Sequence, residues 1–188
     1  MIRAISTQLL RWSGWQIELQ YQQLPPKYVL IVVPHTSNWD FPIGLLARAA
    51  LELDIKYVGK ASLFRPPFGP IFRWLGGFPV DRSRSHGYVE AVADLIRKHQ
   101  RFAICIAPEG TRRRVDRLRT GFYYIAKKAD VPIVMVQFDW QHKKIVVSEP
   151  FYPTNDQAAD FSFIESYYQN VLGRYPELSF GYRALEEA

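Results

Sequence analysis

A single cysteine, Cys105, is all that the 188-residue chain contains. No intramolecular disulfide can form, which agrees with a reducing compartment. Phe102, Ala103, Ile104 and Ile106 flank it, so it reads as a small core residue and not as a nucleophile. No secretory signal is apparent, and no apolar run approaches the ~20 residues of a membrane span. There is no Gly-x-Ser-x-Gly elbow, no P-loop and no Gly-x-Gly-x-x-Gly, which argues against serine hydrolases and nucleotide-binding folds. His86, His99 and His142 lack partners at metal-ligand spacing. Helix-turn-helix, zinc and RNA-recognition signatures are missing too, so nucleic acid is not an expected partner. Repeats and low-complexity linkers are absent.

What is present is a globular composition, 48% apolar and 15% aromatic, at a length that fits one domain over 1–188. The formal charge of +6 is unevenly spread. From Glu149 onward there are seven acidic residues against two arginines, Arg174 and Arg183. The positive charge therefore sits earlier, most densely in the middle. Arginine outnumbers lysine 16 to 8. Its planar fork binds phosphate and carboxylate bidentately, which favours a phosphate-bearing partner; a solvated basic surface is the plainer alternative that composition leaves open.

Apolar periodicity predicts a helix over residues 2–22, stopped by Pro25-Pro26. Tyr28–Val33 is continuous, β-branched and apolar, the pattern of a buried strand. Phe41–Leu53 follows as a helix, with Asp40 or Asn38 as cap and Pro42 in its first turn. Ile55–Gly59 is a short strand. Residues 62–82 are loop-rich, with a helical turn near Ile71–Leu75 and a short strand at Gly77–Val80. Gly87–His99 is a helix, Phe102–Ala107 a strand and Thr120–Ala129 a helix. Pro132–Phe138 and Lys144–Val147 are strands, and Ala158–Gly173 is a last helix. Strands alternating with helices predict an α/β fold, with a mostly parallel or mixed central sheet covered by helices on both faces. Ligands of such sheets bind beyond the carboxyl ends of strands. His35, Arg82 and Glu109 all follow predicted strands within a few residues.

Four segments carry possible chemistry. His35 and Asp40 stand in Pro34-His35-Thr36-Ser37-Asn38-Trp39-Asp40. On one continuous helix, five residues would leave their side chains about 140° apart. They can meet only if His35 lies in a turn and Asp40 opens the helix. The carboxylate would then fix the imidazole tautomer and leave the second ring nitrogen free to take a proton. The plainer reading makes Asp40 a cap and His35 a turn residue. In the second segment, Arg82 and Arg84 follow the glycine pair Gly76-Gly77 and could fork onto a phosphate, or simply pair with Asp81. In the third, Pro108-Glu109-Gly110-Thr111-Arg112 sets a carboxylate, a flexible backbone and a cation within a few residues. Arg113, Arg114, Arg117 and Arg119 follow, and so many like charges repel unless an anion or solvent separates them. The fourth, Val131-Pro132-Ile133-Val134, reads as a core strand entered through a proline.

In this order, the four segments resemble the glycerolipid acyltransferase family, lysophospholipid acyltransferases included. The resemblance spans residues 34 to 136. It implies a glycerol-3-phosphate acyltransferase-like fold. It implies His35 as the base that deprotonates an acceptor hydroxyl, with Asp40 orienting it. Arg82 would bind the acceptor phosphate, and Glu109, Gly110, Thr111 and Arg112 would shape the acceptor site. The donor would be acyl-CoA or acyl-carrier protein, and the acceptor a lysophospholipid, 1-acyl-glycerol-3-phosphate first. No cofactor, metal or covalent acyl-enzyme is implied. Met135 departs from the pattern where many members have a second proline, and the Arg113–Arg119 segment is unusually basic. A different hydroxyl acceptor, or a non-catalytic phospholipid-binding module, stays open at this point.

Such substrates reside in bilayers, so the resemblance implies a cytoplasmic protein peripherally associated with a phospholipid membrane surface. Residues 1–24 could form an amphipathic docking helix that carries Trp12 and Trp15. Trp39, Trp74 and the Phe68–Phe78 loop add further interfacial aromatics.

Overall fold

The computed structural model describes residues 1–80, 85–180 and 182. Helix α1 (Ile2–Trp12) leads into strand β1 (Gln16–Leu19), then β2 (Lys27–Val33) and α2 (Asp40–Ala50). Strand β3 (Ile55–Lys60), a 3-10 turn (Ala61–Phe64), α3 (Gly69–Trp74) and β4 (Gly77–Val80) come next. Then follow α4 (Ser85–Lys98), β5 (Phe102–Ile106), α5 (Gly121–Ala129), β6 (Ile133–Asp139) and β7 (Lys144–Val147). Helix α6 (Gln157–Tyr167) and a 3-10 turn (Pro176–Leu178) complete the order.

The seven strands form one mixed sheet in the order β1-β7-β6-β2-β5-β3-β4. Strands β4, β3, β5, β2 and β6 are mutually parallel, whereas β7 returns antiparallel to β6 and β1 lies parallel to β7. The expected α/β class and mixed sheet are therefore present. Strand β2 is central and buried on both faces, which is why its sequence runs apolar without alternation. Its odd positions, Val29, Ile31 and Val33, pack under α4, α5 and α6. Its even positions, Tyr28, Leu30 and Val32, pack under α1 and α2.

Two predicted helices end early. Helix α1 stops at Trp12, not residue 22, because Gly14 takes φ +81° and the N–H of Trp15 closes onto Leu10 O at 2.8 Å. The chain then enters β1, which the helical reading had absorbed. Trp15 is consequently core, 4% exposed and edge-on to Trp140, so it is no interfacial anchor. Helix α6 ends at Tyr167 rather than Gly173; Asn170 turns the chain at φ 65° and residues 172–179 fold back along the sheet's carboxyl edge.

That edge is where the pattern of parallel strands has its consequence. The β2–β5 register pairs Lys27 with Phe102 and Ile31 with Ile106. Continued past both strands, it brings His35 level with Gly110. Segments 74 residues apart in sequence thus become neighbours at the end of the sheet.

Candidate active site

His35 sits two residues beyond β2, in a turn that ends where Asp40 opens α2. The turn solves the angular problem that a continuous helix would pose. His35 Nδ1 lies 3.0 Å from Asp40 Oδ2. The N–H of Ser37 donates to the same oxygen at 2.9 Å, and the Trp140 indole N–H donates to Asp40 Oδ1 at 2.8 Å. Asp40 is 3% exposed, so three donors replace the water that its carboxylate has lost. It is not a side-chain cap; Trp39 is the cap residue and makes no capping bond. With the acceptor on Nδ1, the proton rests there and Nε2 is left with a free lone pair.

The turn is pinned from the far side. Thr36 is buried, and its hydroxyl accepts the N–H of Tyr175 at 3.3 Å. A Cβ at Gly173 would lie 2.5 Å from Thr36 Oγ1, so the Thr36 side chain packs against the Gly173 backbone as closely as glycine allows. The Arg174 guanidinium lies 5.4 Å from the Trp39 ring centre and 5.3 Å from that of Trp140. At an exposed site each such contact contributes about 0.5–1 kcal/mol.

Glu109 comes from the loop after β5 and reaches the same turn: the backbone N–H of His35 donates to Glu109 Oε2 at 2.6 Å. Glu109 is 2% exposed, and its Oε1 has no partner among the described residues. Burial pushes its carboxyl up to about 7; the His35 N–H works against that rise, and the Asp40 charge adds to it. Glu109 therefore shapes the His35–Asp40 turn directly. Gly110 holds φ +66° in a tight turn, its N–H bonded to Ala107 O at 3.0 Å. The Arg119 side chain crosses over it, 2.7 Å from where a Cβ would be. The Thr111 hydroxyl accepts the N–H of Arg113 at 3.3 Å, a local turn bond. Arg112 is exposed at the same edge, as are Arg113, Arg114 and Arg117. Arg82 lies outside the described residues.

Two cavities open near this edge. One, of about 210 Å³, lies between α2 and the sheet; it is lined by His35, Asp40, Gly44, Leu30, Val136 and Phe138, among other mostly apolar groups. Cys105 lines it as well, and burial holds its thiol up at about 12, so it is inert there. The other, of about 540 Å³, lies on the opposite face by Arg119, Thr120, Lys128, Tyr88 and Gly110. Ala107, at the end of β5, borders both.

Sequence reading singled out His35, Asp40, Glu109 and Gly110, and the fold brings them together. It missed Thr36, Gly173, Arg174 and above all Trp140. Trp140 stands 100 residues from Asp40, and no local pattern links the two.

Comparison with known proteins follows the same lines. Residues 16–139 match the family model described as Acyltransferase. No curated protein is detectably similar. Among solved structures, the fold is similar to that of the 1-acyl-sn-glycerophosphate (LPA) acyltransferase PlsC from Thermotoga maritima. That match has a TM-score of 0.60 and 17% identity, over 88% of this chain and 74% of the other.

The buried Glu109 carboxyl makes stability depend on pH. Folding raises its pKa from 4.5 to about 7, so the folded chain holds the proton more tightly. Its contribution is complete below about pH 4.5 and declines as pH rises to about 7. Glu109→Gln, compared with wild type by urea unfolding across pH 4–8 (roughly the window of both values), should flatten that decline. Parallel stability curves for the two proteins would show that Glu109 does not titrate in this window.

Proposed function

The chain belongs to the Acyltransferase family, and we propose that it moves a fatty acyl group from a thioester donor to a hydroxyl of a lysophospholipid. Acyl-CoA and acyl-carrier protein both supply the donor chemistry, and 1-acyl-glycerol-3-phosphate is the first acceptor candidate. One observation carries the reading: the His35–Asp40 pair stands at an apolar cavity that can hold an alkyl chain.

The steps then follow. The acceptor hydroxyl gives its proton to His35 Nε2 as its oxygen attacks the thioester carbonyl carbon. Asp40 holds the imidazole and stabilises the imidazolium that forms. The tetrahedral intermediate collapses, the C–S bond breaks, and the departing sulfur takes the proton from His35. A thioester is already activated, so orientation and a general base suffice without a protein nucleophile. The acyl chain lies under α2, where the lining beyond His35 and Asp40 is mostly apolar; Arg48 there is already bound to the Ile55 and Leu75 carbonyls at 2.9 and 2.7 Å. The acceptor phosphate meets Arg82, with Arg112 and the other exposed arginines of the loop after β5 adding a positive field. Gly110 and Thr111 shape that side of the site.

The substrates reside in a bilayer, and the surface suits docking there. Helix α1 turns Leu10 inward and leaves Ile2, Ile5, Leu9 and Trp12 exposed, spaced three to four residues apart on one stripe. Phe68, Ile71 and Trp74 are exposed around α3, with Trp39 next to the catalytic turn. No helix among the described residues is long and apolar enough to cross a membrane. Peripheral association through these stripes, with basic residues adding roughly 1 kcal/mol each near anionic lipid, brings the chain to its acceptor.

Four experiments test these points. His35→Ala should lower acyl transfer by about 10²–10⁴-fold, read by mass spectrometry with an acyl-CoA and a lysolipid panel; an undiminished rate in the folded variant removes His35 as base. In the same assay Arg82→Ala should raise KM for phosphorylated acceptors only. Gly44→Leu should shift donor preference towards shorter chains, because a Cβ there meets only Phe138, at 3.5 Å, and further atoms enter the cavity. An unchanged chain-length profile would place the acyl chain elsewhere. Trp12→Ser combined with Trp74→Ser should reduce sedimentation with anionic phospholipid vesicles while sparing turnover of detergent-dispersed substrate. Equal sedimentation would discard these faces as the docking surface.

A further inference from the structure

Asp40 is reached by a donor that comes from neither its own turn nor its own helix. Trp140 lies in the connection between β6 and β7, and its indole N–H meets Oδ1 at 2.8 Å. The other two contacts, from Ser37 N–H and His35, both fall on Oδ2. Those two partners belong to the turn and move with it. The terminal torsion of an aspartate is soft, so contacts to one oxygen leave the other free to swing.

Trp140 is itself held on several sides. Its backbone N–H donates to Leu172 O at 2.8 Å. Its ring stands edge-on to buried Trp15, 5.0 Å between centres at 87°. Arg174 covers a face of the ring. Indole nitrogen donates and does not accept, so Trp140 can bind the carboxylate without taking part in proton transfer. It also satisfies an oxygen that burial has cut off from water.

We propose that Trp140 is a positioning residue for acyl transfer: it locks the Asp40 carboxylate in the rotation that presents Oδ2 to His35 Nδ1. The proposal rests on the reading of His35 as general base. Trp140 acts through Asp40 and touches no substrate, so its effect falls on kcat and not on substrate binding.

Trp140→Phe keeps most of the ring volume and deletes the N–H. It should lower kcat about 10- to 100-fold, the scale of a small misplacement of a catalytic group, with KM for donor and acceptor unchanged. In an Asp40→Asn background the same substitution should have little further effect, since the interaction is already altered. Trp140→His, whose ring restores a donor, should recover part of kcat. A readout without turnover uses 15N-tryptophan labelling. The indole signal that Trp140→His removes should move on Asp40→Asn, and this comparison decides the matter if Trp140→Phe does not fold.

A folded Trp140→Phe with full kcat overturns the proposal. So does a loss that multiplies undiminished onto Asp40→Asn, or an indole signal indifferent to Asp40. A wild-type chain that transfers no acyl group defeats the functional reading and this proposal together. Wild-type turnover insensitive to Trp140 defeats this one alone.

Discussion

A carboxylate withdrawn from water must find hydrogen-bond donors or lose its charge, and Asp40 finds three. They come from the His35 ring, from the Ser37 backbone N–H, and from Trp140 in the β6–β7 connection. Around this one residue the fold makes its tightest local commitments. The turn from His35 to Trp39 is shaped by it, α2 begins at it, and the β6–β7 connection closes onto it. Any loosening of these elements reaches the imidazole through a single side chain.

The sheet supplies the second constraint. Parallel neighbours β2 and β5 end together, so the loops that leave them share one edge. One face beneath that edge holds the apolar cavity under α2, and the opposite face carries the cavity bordered by Arg119 and Lys128. His35 and Asp40 line the first cavity, and Gly110 of the loop after β5 lines the second. Glu109 joins the halves, since it leaves β5 and binds the turn that follows β2.

Much of this was legible in the sequence, for identifiable reasons. The apolar run of β2 announced a strand buried on both faces, and the alternation of elements announced the α/β class. The requirement that His35 and Asp40 straddle a turn followed from helix geometry alone. Strand β1 was hidden because Gln16–Leu19 is short and mostly exposed, and its flanks continue the helical period of α1. Only Gly14 marked the break. Trp140 and Gly173 were invisible for another reason: their roles arise from contacts across 100 and 137 residues, which no local pattern encodes.

The segment from Leu172 to Ser179 is part of the foundation of the His35–Asp40 turn, because Thr36 is capped by Tyr175 and pressed by Gly173. Chains are made from the amino end, and their early parts begin to fold first. His35 and Asp40 leave the ribosome first, and their support arrives almost a hundred and forty residues later. The nascent chain therefore holds an unbraced His35 turn until Tyr175 has emerged. Order in time, set by the direction of translation, keeps this turn unbraced until every strand of the sheet has been made.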